Sequence, residues 1–92
     1  MDKNEELARE ILNSLEKPLP DNYLDAADHY ANVGEWGQVG TTLLGGAMRY
    51  GIKVPIDLVQ KALDRWGPQE MGNLYSQFRE TWLTGTKVSQ AA

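Results

Sequence analysis

The strongest candidates for a functional site are acidic residues in the first third of the chain. Asp21, Asp25 and Asp28 are four and three residues apart, so a helix would place all three on one face. Asn32 continues the series, and we call these four residues the acidic row. Glu35 follows just beyond it.

A row of carboxylates supports three interpretations. It could bind a divalent cation, although calcium and magnesium sites usually draw oxygen ligands from a loop or from converging elements. It could dock on the basic surface of another protein, or it could be a solvated helix face. We expect no metal site. We take the acidic row and Glu35 as candidate partner-binding residues, with the solvated face as the open alternative.

The distribution of charge along the chain favours a basic partner. Residues 1–35 hold nine acids and three bases, a net charge of −6, whereas residues 36–92 hold four acids and six bases, a net charge of +2. An acidic surface attracts basic partners and repels nucleic acid. We therefore expect a basic protein partner and no nucleic acid.

Enzymatic chemistry lacks an assembled set of residues. His29 is the only histidine, whereas a zinc site usually takes several ligands and a Ser-His-Asp triad also needs an aligned serine. Gly40 and Gly45 have the outer spacing of a Walker loop, but Gly46 and Ala47 stand where that motif needs Lys and Ser or Thr. We predict that the protein is not an enzyme and uses no cofactor.

Composition also bears on the compartment. The chain has no cysteine, which excludes a disulfide framework. No apolar run approaches the ~20 residues of a membrane-spanning helix, and the first residues lack the basic-then-apolar order of a signal peptide. We expect a cytoplasmic protein without a membrane partner, and its oligomeric state stays open.

Apolar spacing predicts helices throughout, since no segment alternates with the period of two that strands show. The predicted helices cover residues 2–17, 22–33, 35–50, 55–66 and 69–83. Prolines and glycines separate them, and Asp21 is the expected N-cap of the second helix. We expect an all-α fold, a compact bundle of about five short helices, as a single domain over residues 1–85. Residues 86–92 are expected to form a flexible tail.

The third predicted helix is unusually rich in glycine. Gly37, Gly40, Gly45 and Gly46 each cost about 1 kcal/mol relative to alanine in a helix interior. Packing must therefore hold this helix, most simply at the centre of the bundle, where missing side chains let neighbours approach. The apolar residues of all five helices are expected in the core, Leu12, Val33, Tyr50 and Ile56 among them.

The alternative function is a small DNA-binding regulator of helix-turn-helix type. A mild basic patch surrounds the third and fourth helices, at Arg49, Lys53, Lys61 and Arg65. The fifth helix would read DNA, although it offers few polar side chains and two acids oppose phosphate contact. Its polar readers would be Gln69, Asn73, Gln77 and Arg79. A third interpretation is a structural protein that self-associates through its glycine-lined helix.

Two short motifs resemble a known family. Residues 25–37 read Asp-Ala-Ala-Asp-His-Tyr-Ala-Asn-Val-Gly-Glu-Trp-Gly, and residues 50–55 read Tyr-Gly-Ile-Lys-Val-Pro. Over residues 23–66 the chain resembles small bacterial toxin-immunity proteins of the Maf type. The resemblance implies inhibition by tight binding to a cognate toxin, with Glu35 and the neighbouring acids as contacts. Those proteins tend to have an acid shortly after the tryptophan, where this chain has Gly40-Thr41-Thr42, which leaves the partner and the binding mode open.

Overall fold

A computed structural model describes residues 2–84, and the predicted tail lies outside them. Five α-helices follow one another along the chain, and no strand occurs within this range. They are α1 (Lys3–Ser14), α2 (Asp21–Asn32), α3 (Trp36–Tyr50), α4 (Ile56–Met71) and α5 (Leu74–Phe78), followed by a π-helical turn (Arg79–Thr84). The radius of gyration is 12.7 Å, close to the ~12 Å of a compact domain of this length. The predicted all-α bundle is confirmed.

The glycine-rich helix α3 lies at the centre and packs against α1, α2, α4 and α5. A Cβ atom added at Gly40 would lie closer than 3.0 Å to the ring of Trp66 on α4. One added at Gly46 would lie 2.9 Å from Leu19. The missing side chains therefore let neighbours approach, as predicted. Gly45 is different, because its nearest neighbour would be a methyl group at 4.0 Å.

The ends of α2 are set by Pro20 and Gly34. Asp21 was expected as the N-cap, and this is wrong: Pro20 holds that position with an extended backbone, and no side chain caps the helix. The Pro20 carbonyl instead accepts from the amides of Tyr23 (3.0 Å) and Leu24 (3.2 Å). At the other end Gly34 has a φ of 76°, which a glycine adopts without strain.

The C-terminal part differs most from expectation. Helix α4 does not stop at residue 66 but kinks at Gly67 (φ 66°, ψ −174°) and resumes to Met71. Gly72 (φ 60°, ψ −137°) then interrupts the predicted fifth helix. Its remainder is divided into α5 and the π-helical turn. The apolar face survives this division, since Phe78 and Trp82 are both buried.

The core is made by residues from every helix, with Ile11, Leu43, Val59 and Phe78 almost fully buried. Four apolar residues expected in it are instead exposed. Their exposed fractions are 43% for Leu12, 61% for Val33, 50% for Tyr50 and 45% for Ile56. The last three lie at helix ends: Val33 directly follows α2, Tyr50 is the last residue of α3 and Ile56 is the first residue of α4.

Candidate functional site

The acidic row lies on one uninterrupted helix. Because α2 runs without a break from Asp21 to Asn32, its 3.6-residue period places the four residues of the row on one face. All four are exposed. The opposite face carries Tyr23, Ala27 and Tyr30, which pack against the core. The amphipathic pattern of the sequence thus directs the carboxylates of α2 away from the core.

No base within the described residues neutralises these carboxylates. Over residues 2–84 the ion pair within 4.0 Å joins Arg9 to Glu5, at 2.8 Å. The same part of the chain contains no group of three or more histidine or acidic side chains arranged to hold a metal ion. The aspartates of the row therefore present unpaired negative charge to solvent.

Glu35 does not belong to the face of α2. It is the residue before α3, its side chain makes no capping hydrogen bond, and it is exposed. Its amide donates to the Tyr30 carbonyl at 2.9 Å, which ties it to the last turn of α2. The structure thus places Glu35 at the corner between α2 and α3, one turn of chain beyond the acidic row.

A groove lies beside the C-terminal half of the acidic row, at Asp28 and Asn32, and we call it the α1–α2 groove. It has a volume of about 360 Å³ and is open to solvent. Its lining includes Arg9 and Leu12 of α1, Asp28, Ala31 and Asn32 of α2, and Trp36 of α3. The structure therefore brings Asp28 and Asn32 to the groove. Asp21 and Asp25 lie nearer the N-terminus of α2, outside the lining of the groove.

Sequence reasoning missed this groove. It forms because α1 and α2 each pack on α3 but make little contact with each other, which no local pattern reports. The one available signal was Leu12, an apolar residue at the edge of the stripe of α1. Inside the groove the Arg9 guanidinium lies 5.3 Å from the centre of the Trp36 ring, a cation–π distance.

Comparison with known proteins adds no relative. No protein-family model matches the chain, and neither a curated protein nor a solved structure matches it. The resemblance to Maf-type immunity proteins therefore stays a prediction.

The residues expected to read DNA are not on one helix. Gln69 follows the kink of α4, Asn73 lies between α4 and α5, and Gln77 is on α5. Arg79 begins the π-helical turn. A recognition helix presents its readers from one rigid rod, and Gly72 divides this segment in two.

Within residues 2–84 no helix is long and apolar enough to cross a membrane.

Proposed function

We propose that this protein is a small inhibitor of the immunity type, which binds a basic protein such as a toxin or nuclease and occludes its functional surface. The observation that carries the proposal is the row of exposed, unpaired aspartates along α2. The excess of acids in the first third of the chain supports it as well.

Repulsion within the row supports a charged partner. Like charges one turn apart on a helix destabilise it by a few tenths of a kcal/mol per pair. Since no arginine or lysine of residues 2–84 pairs with Asp21, Asp25 or Asp28, this cost is not offset inside the described chain. Lysines and arginines of a partner would offset it on binding. Such complementarity raises the association rate and makes it sensitive to salt.

The row is also held in place before binding. Helix α2 packs on α3 through Tyr23, whose ring lies close to Gly46 and meets Tyr50 edge-on with 5.8 Å between ring centres. A surface that is ordered in the free protein loses little conformational entropy when a partner binds. Helix α2 thus offers its charges without rearrangement.

Charge reversal tests the proposal. In the test variant, Asp25, Asp28 and Glu35 are all replaced by lysine, which changes the formal net charge from −4 to +2. The unmodified chain, used as bait in a lysate of its native host, should capture one basic protein at equal stoichiometry. The test variant should lose it. Addition of the unmodified chain to the purified partner should abolish the partner's activity at equal concentrations.

A matched control separates the position of the charges from their number. Replacing Glu10, Glu16 and Glu80 by lysine gives the same net charge but leaves α2 unchanged. All three are exposed, and Glu10 lies on the side of α1 that faces α4. This control should keep the partner. If both variants capture it equally well, the row does not form the interface and the proposal is wrong.

A further inference from the structure

The α1–α2 groove exposes apolar surface next to the acidic row. Leu12, which is 43% exposed, lines the groove together with the partly buried Ala31 and Trp36. A concave site with largely apolar walls and a few polar groups is the usual form of a binding site in a protein. We propose that this groove binds the apolar face of a basic amphipathic helix of the partner. The inference rests on the proposed function and specifies the chemistry of the partner.

The charge at the rim of the groove decides which charge the occupant must carry. Arg9 is the base at the groove, and its guanidinium is already engaged: Nε donates to Glu5 at 2.9 Å, and the group stacks on Trp36. Asp28, on the opposite wall, has no such partner within residues 2–84. The unbalanced charge at the rim is therefore negative. An occupant that carries lysine or arginine beside its apolar residues complements it.

The shape of the groove favours a helix. Its walls are two helices, and residues 2–84 contain no strand whose edge could add an extended peptide. Its volume of about 360 Å³ is at the small end of the range for ligand pockets, about 300–1,000 Å³, which suits a few side chains. Helix-in-groove recognition uses such anchors, spaced at i, i+3 or i+4, and i+7.

A synthetic peptide serves as the probe. It contains leucine at those spacings and lysine elsewhere, and it is about 14 residues long, near the minimum for a helix. One control peptide has the same composition in scrambled order, and another has glutamate in place of lysine. Binding is followed by amide chemical-shift changes. The amphipathic basic peptide should shift the signals of Leu12, Ala31 and Trp36. The affinity for each control peptide should be lower by about tenfold or more, which corresponds to a loss of at least about 1.4 kcal/mol in binding free energy.

Variants of the protein locate the binding. Leu12→Gln removes the exposed apolar group and keeps a good helix former at this position. It should weaken binding of the peptide about tenfold. Ala31→Leu fills the groove and should weaken it similarly. Ile56→Gln is the matched control, since Ile56 is 45% exposed but lies outside the groove, and it should bind within about twofold of the unmodified chain. Circular dichroism checks that each variant is folded.

The results separate this inference from the proposed function. If Leu12→Gln and Ala31→Leu bind the peptide as well as the control variant does, or if the scrambled peptide binds equally, the groove inference is overturned. The partner-capture experiment is unaffected by that result. A second outcome is that the groove variants no longer bind the peptide but charge reversal on α2 leaves partner capture intact. In that case the proposed function is wrong, whereas binding of a basic helix in the groove is supported. Concentration-dependent shifts of the same residues without peptide would make the occupant a second copy of the chain, which also overturns the inference.

Discussion

Replacing Gly40 by alanine should destabilise this protein, although alanine is the better helix former. A glycine in a helix interior is about 1 kcal/mol less favourable than alanine, so helix propensity alone predicts stabilisation. The added Cβ, however, would lie closer than 3.0 Å to the Trp66 ring. Trp66 is only 9% exposed, so its ring has little room to move. Overpacking of this kind costs about 1–3 kcal/mol.

Displacing Trp66 has a second cost. Its indole N–H donates to Asn4 Oδ1 at 3.0 Å, and a shift of the ring lengthens that hydrogen bond, which is worth about 1 kcal/mol. The overpacking and the lost hydrogen bond together exceed the gain in helix propensity. We therefore expect Gly40→Ala to lower the free energy of unfolding by about 1–3 kcal/mol.

Gly45→Ala is the matched comparison on the same helix. The nearest atom to its added Cβ would be a Leu74 methyl carbon at 4.0 Å, an ordinary contact. This variant should gain up to about 1 kcal/mol from helix propensity. For a domain of this size 1 kcal/mol shifts Tm by about 4–8 °C, so the two alanine variants should shift Tm in opposite directions. Thermal and urea unfolding followed at 222 nm measures both. A Gly40→Ala protein as stable as the unmodified chain would refute the close approach of α4 to α3.

Substitutions at three further positions test local features of the fold. Asn4 Oδ1 accepts from both Trp66 Nε1 (3.0 Å) and Arg65 Nε (2.5 Å), so Asn4→Ala should cost about 1–3 kcal/mol in urea unfolding, whereas Asn4→Asp, which keeps the acceptor, should cost less. Gly67→Ala should also cost about 1–3 kcal/mol, because the backbone of Gly67 lies in a region that is nearly exclusive to glycine. Gly51→Asn should cost less than about 1 kcal/mol, since asparagine tolerates the left-handed conformation of that C-cap. Equal losses at the two glycines would contradict the kink in α4.

The number of helices and the role of α3 could be predicted from the sequence, because both depend on local signals. Gly34 and Gly51 end helices with positive φ angles, and the glycines of α3 indicated close packing. Which glycine makes the contact could not be predicted. Gly40 and Gly45 are the same residue type in the same helix. Only the position of α4 leaves no room for a Cβ atom at Gly40, whereas Gly45 has room for one.

The C-terminal segment shows why a correct apolar pattern does not fix the backbone. Met71, Leu74 and Phe78 have helical spacing, which predicted one continuous helix. Met71 and Phe78 are indeed buried, but Gly72 interrupts the helix between them. Apolar spacing reports which side chains reach the core, and two short helical segments that meet at a glycine can satisfy it as well as one rod. The α1–α2 groove was missed for a related reason, since it depends on the relative positions of three helices.

The position of α2 in the bundle predicts that its charges can be altered without loss of the fold. Helix α3 is surrounded by other helices, whereas α2 packs mainly on α3 and leaves its outer face to solvent. Asp25 and Asp28 are exposed and make no ion pair within residues 2–84, so their replacement by lysine removes no stabilising contact there. Substitutions at exposed sites of this kind usually change stability by less than about 0.5 kcal/mol. A charge-reversed protein that stays folded but no longer captures its partner would therefore report on the interface itself.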